Sequence, residues 1–248
     1  MLKKKLKLYY RLFIQRIFIL IYGKIKIENI NSLHEIRIKK IEDLKSDKQP
    51  HIKYLLYEIK NGRIYTDGNE TVAILNKNNL ISNISFQQIN GELKDIKFNK
   101  VLETGTPKIK KRIDGKVFNL AQGGSGNNYF HFMYDLIPKI YLLEKVLSIS
   151  SIDYFYVPKI KTWQKKIYSL FGINEKRLID SEKFKHIESN LIISVNHPWY
   201  HQGYIQDEVK NIPDWIINSN RIKFLPLLKK FDNNKKIFLD RSSSVYSH

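Results

Sequence analysis

Apolar positions along this chain of 248 residues change their period several times, and each change predicts an element. In "HIKYLLYEIKNGRIYTDGNETVAILNKNNLISNISFQ" short β-prone runs are separated by Asn-Gly, Asp-Gly and Asn-Asn steps. Arg63 to Thr66, Thr71 to Leu75 and Ile81 to Phe86 therefore read as strands of a meander. A lysine-rich polar connection from about Gly91 to Arg112 leads to a strand from Lys116 to Leu120, and a long aromatic helix follows. "IDYFYV" is then a buried strand, "KTWQKKIYSLFG" a helix closed by Gly172, and "RLID" and "NLIISV" further strands. A helical stretch from about Gln206 to Phe231, broken at Pro213, precedes a last strand, "KKIFLDR". Strands alternating with helices predict an α/β fold with a parallel sheet and crossover helices.

The helix within "GKVFNLAQGGSGNNYFHFMYDLIPKIYLLEK" carries an unusual polar set. At 100° per residue, Tyr129, Met133, Leu136, Ile140 and Leu143 share one broad face, while Asn128, His131 and Asp135 form a narrow stripe beside it. The stripe opens just after "GGSGN", whose glycines allow close backbone approach and whose Ser125 or Asn127 is suited to cap the helix. A helix start that follows a strand is where α/β folds meet their ligands. His131 and Asp135 at i, i+4 also fit a plain surface pair, worth roughly 0.2 to 0.5 kcal/mol. Pro138, well inside the helix, predicts a kink at a cost of about 3 kcal/mol. "GGSG" has neither the dinucleotide nor the P-loop glycine spacing.

The composition is that of a folded protein, with 42% hydrophobic residues and 12% aromatics. The absence of cysteine removes disulfides, thiolate zinc sites and cysteine nucleophiles. A formal charge of +19 favours anionic partners, but the chain's bias toward Lys, Ile and Asn spreads that charge over the surface, and no nucleic-acid motif accompanies it. Charge and apolar residues are dense together only in residues 1–26, "MLKKKLKLYYRLFIQRIFILIYGKIK". The apolar core from Ile17 to Tyr22 is far shorter than the roughly 20 residues of a spanning helix, and no small-residue cleavage site follows. Lys and Arg snorkelling beside Leu12, Phe13, Phe18 and Leu20 suit a helix lying in a membrane interface, and equally a docking helix.

"NHPWYHQGY" places His197 and His201 at i, i+4, but Pro198 between them argues against a zinc-binding helix. Trp199 and Tyr200 in that loop fit either ordinary packing or an aromatic wall for sugar CH groups. No Asp-x-Asp clamp for a metal-bound diphosphate is present, so no metal and no cofactor are expected.

"NNYFHFMYDLIPKIYLLEK" resembles the Asn-Tyr-x-His-x-x-x-Asp-x-x-Pro signature of glycosyltransferase family 61, with Asn128, Tyr129, His131, Asp135 and Pro138 filling it. The strand hairpins from Gly62 and the terminal "KKIFLDRSSSVYSH" resemble further family segments, although Asp240 stands before Arg241 where a serine-like residue is usual. The family's later "R-x-I-x-N-E" and "G-A-G-L-x-N" elements lie in a second Rossmann-like domain that this sequence does not reach.

The resemblance implies the Rossmann-like N-terminal half of a GT-B glycosyltransferase. Its parts would be a basic amphipathic segment (1–26), an acceptor-side domain (27–231) and the start of a donor-binding domain (232–248). It implies inverting transfer from a nucleotide sugar to a hydroxyl of a glycan or glycolipid acceptor in surface or capsular polysaccharide assembly, without metal, at the inner face of the cytoplasmic membrane. Asp135 is the implied base, His131 orients it, Asn128 and Tyr129 shape the pocket, Trp199 lines the acceptor cleft and Arg241 contacts the diphosphate. The competing expectation is a non-catalytic basic module that binds membrane or nucleic acid, or an inactive enzyme fragment.

Overall fold

The computed structural model describes residues 2–28, 35–42, 44, 48, 52–122, 126, 128–199, 203–204 and 209–227. Helix α1 (Leu2–Tyr22) comes first, then the short strands β1 (Lys26–Ile27) and β2 (Ile36–Ile41). The long β3 (Tyr54–Thr66), β4 (Thr71–Asn76), β5 (Asn79–Leu80), β6 (Phe86–Ile89) and β7 (Glu92–Leu93) follow. After the short helix α2 (Val101–Thr104), β8 (Lys111–Asn119) leads into α3 (Tyr129–His131), a π turn (Phe132–Leu136) and α4 (Ile137–Glu144). The chain continues through β9 (Tyr154–Val157), α5 (Thr162–Leu170), β10 (Leu178–Asp180), β11 (His186–Val195), β12 (Gly203–Tyr204) and α6 (Asp214–Phe224).

These strands build one mixed sheet in the order β10-β9-β8-β11-β3-β4-β6-β7-β12, with β2 on β3 and β1-β5 on β4. The four strands β10, β9, β8 and β11 are mutually parallel, and β3 joins β11 antiparallel. Alternation along the parallel strands sends Phe118, Phe155 and Ile193 to one face and Val117, Tyr156 and Ile192 to the other, and both sets are buried. The first face packs on Leu136, Ile140 and Leu143 of the central helix and on Tyr168 of α5. The second is covered by Trp199, Ile216 and the turn bearing Ile81 and Ile84.

The expected α/β fold with parallel strands is present, and several local expectations are corrected. The Asn61-Gly62 step lies inside β3 and makes no turn. Asn61 sits at φ 49°, a left-handed kink inside the strand, and a Cβ on Gly62 would stand 2.8 Å from Cγ1 of Ile192 on the neighbouring strand, so the glycine admits close packing. Its neighbour β11 shifts register at Ser189/Leu191 against β8, where Gly115 has φ 126°, so the irregularities lie side by side across three strands. Ile81 to Phe86 is not a strand. Ser85 Oγ accepts from Ile74 N–H at 2.9 Å, taking the place of a ladder bond, and Ser82–Ile84 forms a 3₁₀ turn before β6. The segment after Gly91 contains β7, α2 and the start of β8 rather than a plain connection.

Gly172 ends α5 as expected: it has φ 72°, and Ile173 N–H reaches back to the Tyr168 carbonyl at 3.1 Å. Pro213 directly precedes α6. The expected strand from Lys235 to Arg241, and with it the expected second domain, lies outside the described residues.

Candidate functional site

β8 and β11 are neighbours in the sheet, with Phe118 opposite Ile193, but the chain leaves β8 toward β9 and β10 on one side and returns to β11 on the other. The strand order therefore reverses between these two strands, and the crevice beyond their carboxyl ends is where open α/β sheets place ligands. The segment after β8 carries the aromatic helix. The segment after β11 carries Asn196 to Trp199.

Each segment is held in place. Asn128 caps the helix, its Oδ1 accepting from Phe130 N–H (2.9 Å) and His131 N–H (3.4 Å). Gly126 packs where a Cβ would stand 3.0 Å from Pro158, and its carbonyl accepts from Gln164 Nε2 at 3.2 Å. Pro138 distorts the helix as expected, but through a π turn. Lacking an N–H and crowding the carbonyl four residues back, it stands at the start of α4 just past a wider turn in which Ile137 N–H bonds to Phe132 O. The Met133 carbonyl in that turn accepts from Asn220 Nδ2 of α6 at 3.3 Å. In the β11 loop, Asn196 bridges Leu55 N–H and the Lys53 carbonyl, and Tyr54 Oη donates to the Pro198 carbonyl at 3.0 Å. Trp215 Nε1 in turn donates to Tyr54 Oη at 2.9 Å.

Asp135, inside the π turn, joins the two segments. Its side chain is 2% exposed. Oδ2 lies 2.8 Å from His131 Nδ1, and Oδ1 accepts from Trp199 Nε1 at 2.8 Å. His197 Nε2 stands 3.9 Å from Oδ1, while its Nδ1 accepts from Trp199 N–H at 3.2 Å. Burial pushes the Asp135 carboxyl up against the lowering pull of His131, Trp199 and Lys139. Burial also opposes charge on His131, but the hydrogen bond and negative charge of Asp135 outweigh it and raise the imidazole above its ordinary value. A carboxylate on Nδ1 selects the tautomer with its proton there and leaves the Nε2 lone pair as the basic site. The side chain of His131 is 22% exposed, so this ring is the part of the cluster open to a reactant.

Trp199 is fully buried, edge-on to Phe130 and bonded to Asp135, so it is a fixed donor to the carboxylate rather than an open stacking face for sugar. Asn128 is spent on the cap. Tyr129 is exposed and lies 5.4 Å from the Trp163 ring. Ser125, Asn127, Tyr200, His201 and Arg241 lie outside the described residues.

Two residues of the cluster were not singled out by sequence reasoning. In the sequence His197 stands out only through its i, i+4 spacing to His201. Lys139, one turn beyond Asp135 at i+4, is 4% exposed, and no hydrogen bond or ion pair reaches its ammonium from the described residues. Burial pushes it down to about 8 against the opposing pull of Asp135. Its place on the polar stripe was the available signal. Among the described residues no group of three or more acidic or histidine side chains could hold a metal ion.

No protein-family model, curated protein or solved structure matches this chain.

Proposed function

We propose that this chain is the acceptor-side, Rossmann-like half of an inverting GT-B glycosyltransferase in surface-polysaccharide assembly. The observation that carries the reading is the His131–Asp135 pair, fastened by Trp199 at the reversal point of the sheet. The resemblance of residues 128–138 to the family 61 signature supplies the reaction class. The parallel order β10-β9-β8-β11, which matches half of a doubly wound sheet, supports the fold assignment.

The roles within the pair are the reverse of those the resemblance implies. Both oxygens of Asp135 are engaged and the group is buried, so His131 Nε2 is the base and Asp135 holds its tautomer and stabilises the imidazolium. As the acceptor oxygen bonds to the anomeric carbon, its proton passes to Nε2. The bond from that carbon to the diphosphate breaks on the opposite face, and the nucleoside diphosphate leaves with the electron pair.

The test is transfer of labelled sugar from a panel of UDP- and GDP-sugars, with a donor-binding domain supplied in the same polypeptide. His131→Gln should lower turnover by about 100-fold or more with donor saturating. Near-normal turnover in that variant would remove His131 as the base.

Helix α1 supports attachment to a membrane surface. Leu6, Tyr9, Tyr10, Phe13 and Leu20 are exposed and recur at helical spacing on one side, flanked by Lys5, Arg16, Lys7 and Arg11. Among the described residues no helix is long and apolar enough to cross a membrane.

A further inference from the structure

Lys139 and His197 also line a cavity of about 160 Å³, whose wall includes Gln122, Ser82, Asn83 and Ser85. Gln122 lies just past the end of β8 and His197 just past the end of β11, so the cavity is in the crevice at the strand reversal, next to the Asp135 cluster. Its volume is that of roughly ten water-sized sites, enough for one sugar ring.

The chemistry of the wall is one-sided. Polar side chains of Asn83, Gln122 and Ser82 suit sugar hydroxyls, and among the described residues no carboxylate lines the space. Lys139 supplies a cation. A lysine so deeply buried is expected to be paired, because taking an ammonium out of water is expensive. Among the described residues the negative charge acting on it is that of Asp135, whose oxygens are bonded to His131 and Trp199, and no described atom bonds to Nζ of Lys139. A neutral ligand would leave that cation unpaired, whereas an oxyanion would pair with it.

We propose that this cavity binds an acidic sugar of the acceptor, a hexuronate or a sugar phosphate, with its oxyanion on Lys139 Nζ. The assignment rests on the reading of the chain as the acceptor side of a sugar transferase. It narrows that reading to anionic glycans and makes Lys139 the residue that selects them. The competing role for Lys139 is a mere counter-charge to Asp135. That role makes the lysine a stability residue with no effect on ligand choice.

Binding is measurable on the chain as it is, without a donor, by ligand-observed NMR with D-glucuronate, glucose 6-phosphate and methyl glucoside. Both acids are expected to bind at least about 10-fold more tightly than the neutral glucoside. The better of the two identifies the oxyanion as carboxylate or phosphate. Lys139→Met should erase the preference by weakening both acids to the level of the glucoside, and Lys139→Arg should keep part of it.

A second measurement does not depend on a variant that folds. Among the described residues the titratable groups facing Lys139 are Asp135 on its own helix and His197 from the β11 loop. Neither gains a proton as pH rises, so the acid preference should fade through about 8, where the lysine loses its charge. Equal affinity for acids and glucoside, no binding of any of the three, or a preference that persists in Lys139→Met or well above pH 8 would overturn the assignment. Transfer to neutral acceptors without acid binding would sink this inference alone, while acid binding without any transfer would sink the enzyme reading and leave the cavity's ligand standing.

Discussion

Asp135 accepts from an imidazole on one oxygen and an indole on the other, which fixes what replacing it should do. In Asp135→Asn the amide nitrogen must face one of two N–H groups, so either His131 turns its proton to Nε2 or the Trp199 bond is lost. With its negative partner gone and burial still opposing charge, the imidazole should fall in pKa. Because the base must be neutral, activity rises as pH rises through that value. The acid limb of the rate profile should therefore move to lower pH in Asp135→Asn, while the plateau drops by about 100-fold or more. A limb that stays in place would separate Asp135 from the base. At this scale the sequence shows His131 and Asp135 plainly, because one helix turn brings them together. Trp199 and His197 are 64 and 62 positions away from Asp135 and reach it only through the pairing of β8 with β11. Lys139 was in plain view but reads as a surface lysine, since burial is not visible in a single sequence.

Helix α1 shows how an element divides its faces. Its last turns dock on the body, where Tyr22 stands edge-on to His186 at 5.1 Å and accepts Lys110 N–H on its hydroxyl at 3.0 Å. Gly105, at φ 63°, makes room for Ile19, since a Cβ there would lie 2.8 Å from Ile19 Cγ1. The apolar stripe through Leu6, Phe13 and Leu20 points elsewhere, with exposures of 71%, 60% and 86%. Replacing these three by Glu should change folding stability by only a few tenths of a kcal/mol each, as at other exposed sites. The same variant should no longer float with vesicles rich in phosphatidylglycerol, and high salt should weaken flotation of the unaltered chain without abolishing it. Flotation that survives the substitutions would exclude α1 as the anchor. The sequence left membrane and docking helix as alternatives, and the structure gives α1 both a docked face and an open one.

The described body of the molecule is one sheet with both faces covered, and under α1 it buries the ionisable side chain of His186. Burial pushes its pKa down to about 4, despite the Lys108 carbonyl on Nδ1, with the Arg63 and Lys110 charges adding to the lowering and Glu188 opposing it. The folded value lies below the unfolded one, so the unfolded chain binds the extra proton first. Stability should hold above about 6.5 and decline as pH falls toward about 4, at up to about 1.4 kcal/mol per pH unit. Denaturant titrations of the unaltered chain and His186→Gln should diverge over that window, and parallel curves would contradict the assignment. On this scale the alternation after Lys116 was legible because buried parallel strands and their helices have distinct periods. The earlier half departs from its sequence pattern because Asn-Gly fits a left-handed kink inside a long strand as readily as a turn, and the choice is made by Ile192 on another strand. The claim on which the account turns is that Asp135 holds His131 as a base at the reversal of this sheet. The most direct measurement is a ¹⁵N NMR titration of the His131 ring in the unaltered chain and in Asp135→Asn. The expected result is the Nδ1–H tautomer with a pKa above that of a free imidazole, lowered in the variant; an Nε2–H tautomer, or a titration that the substitution leaves unmoved, would contradict it.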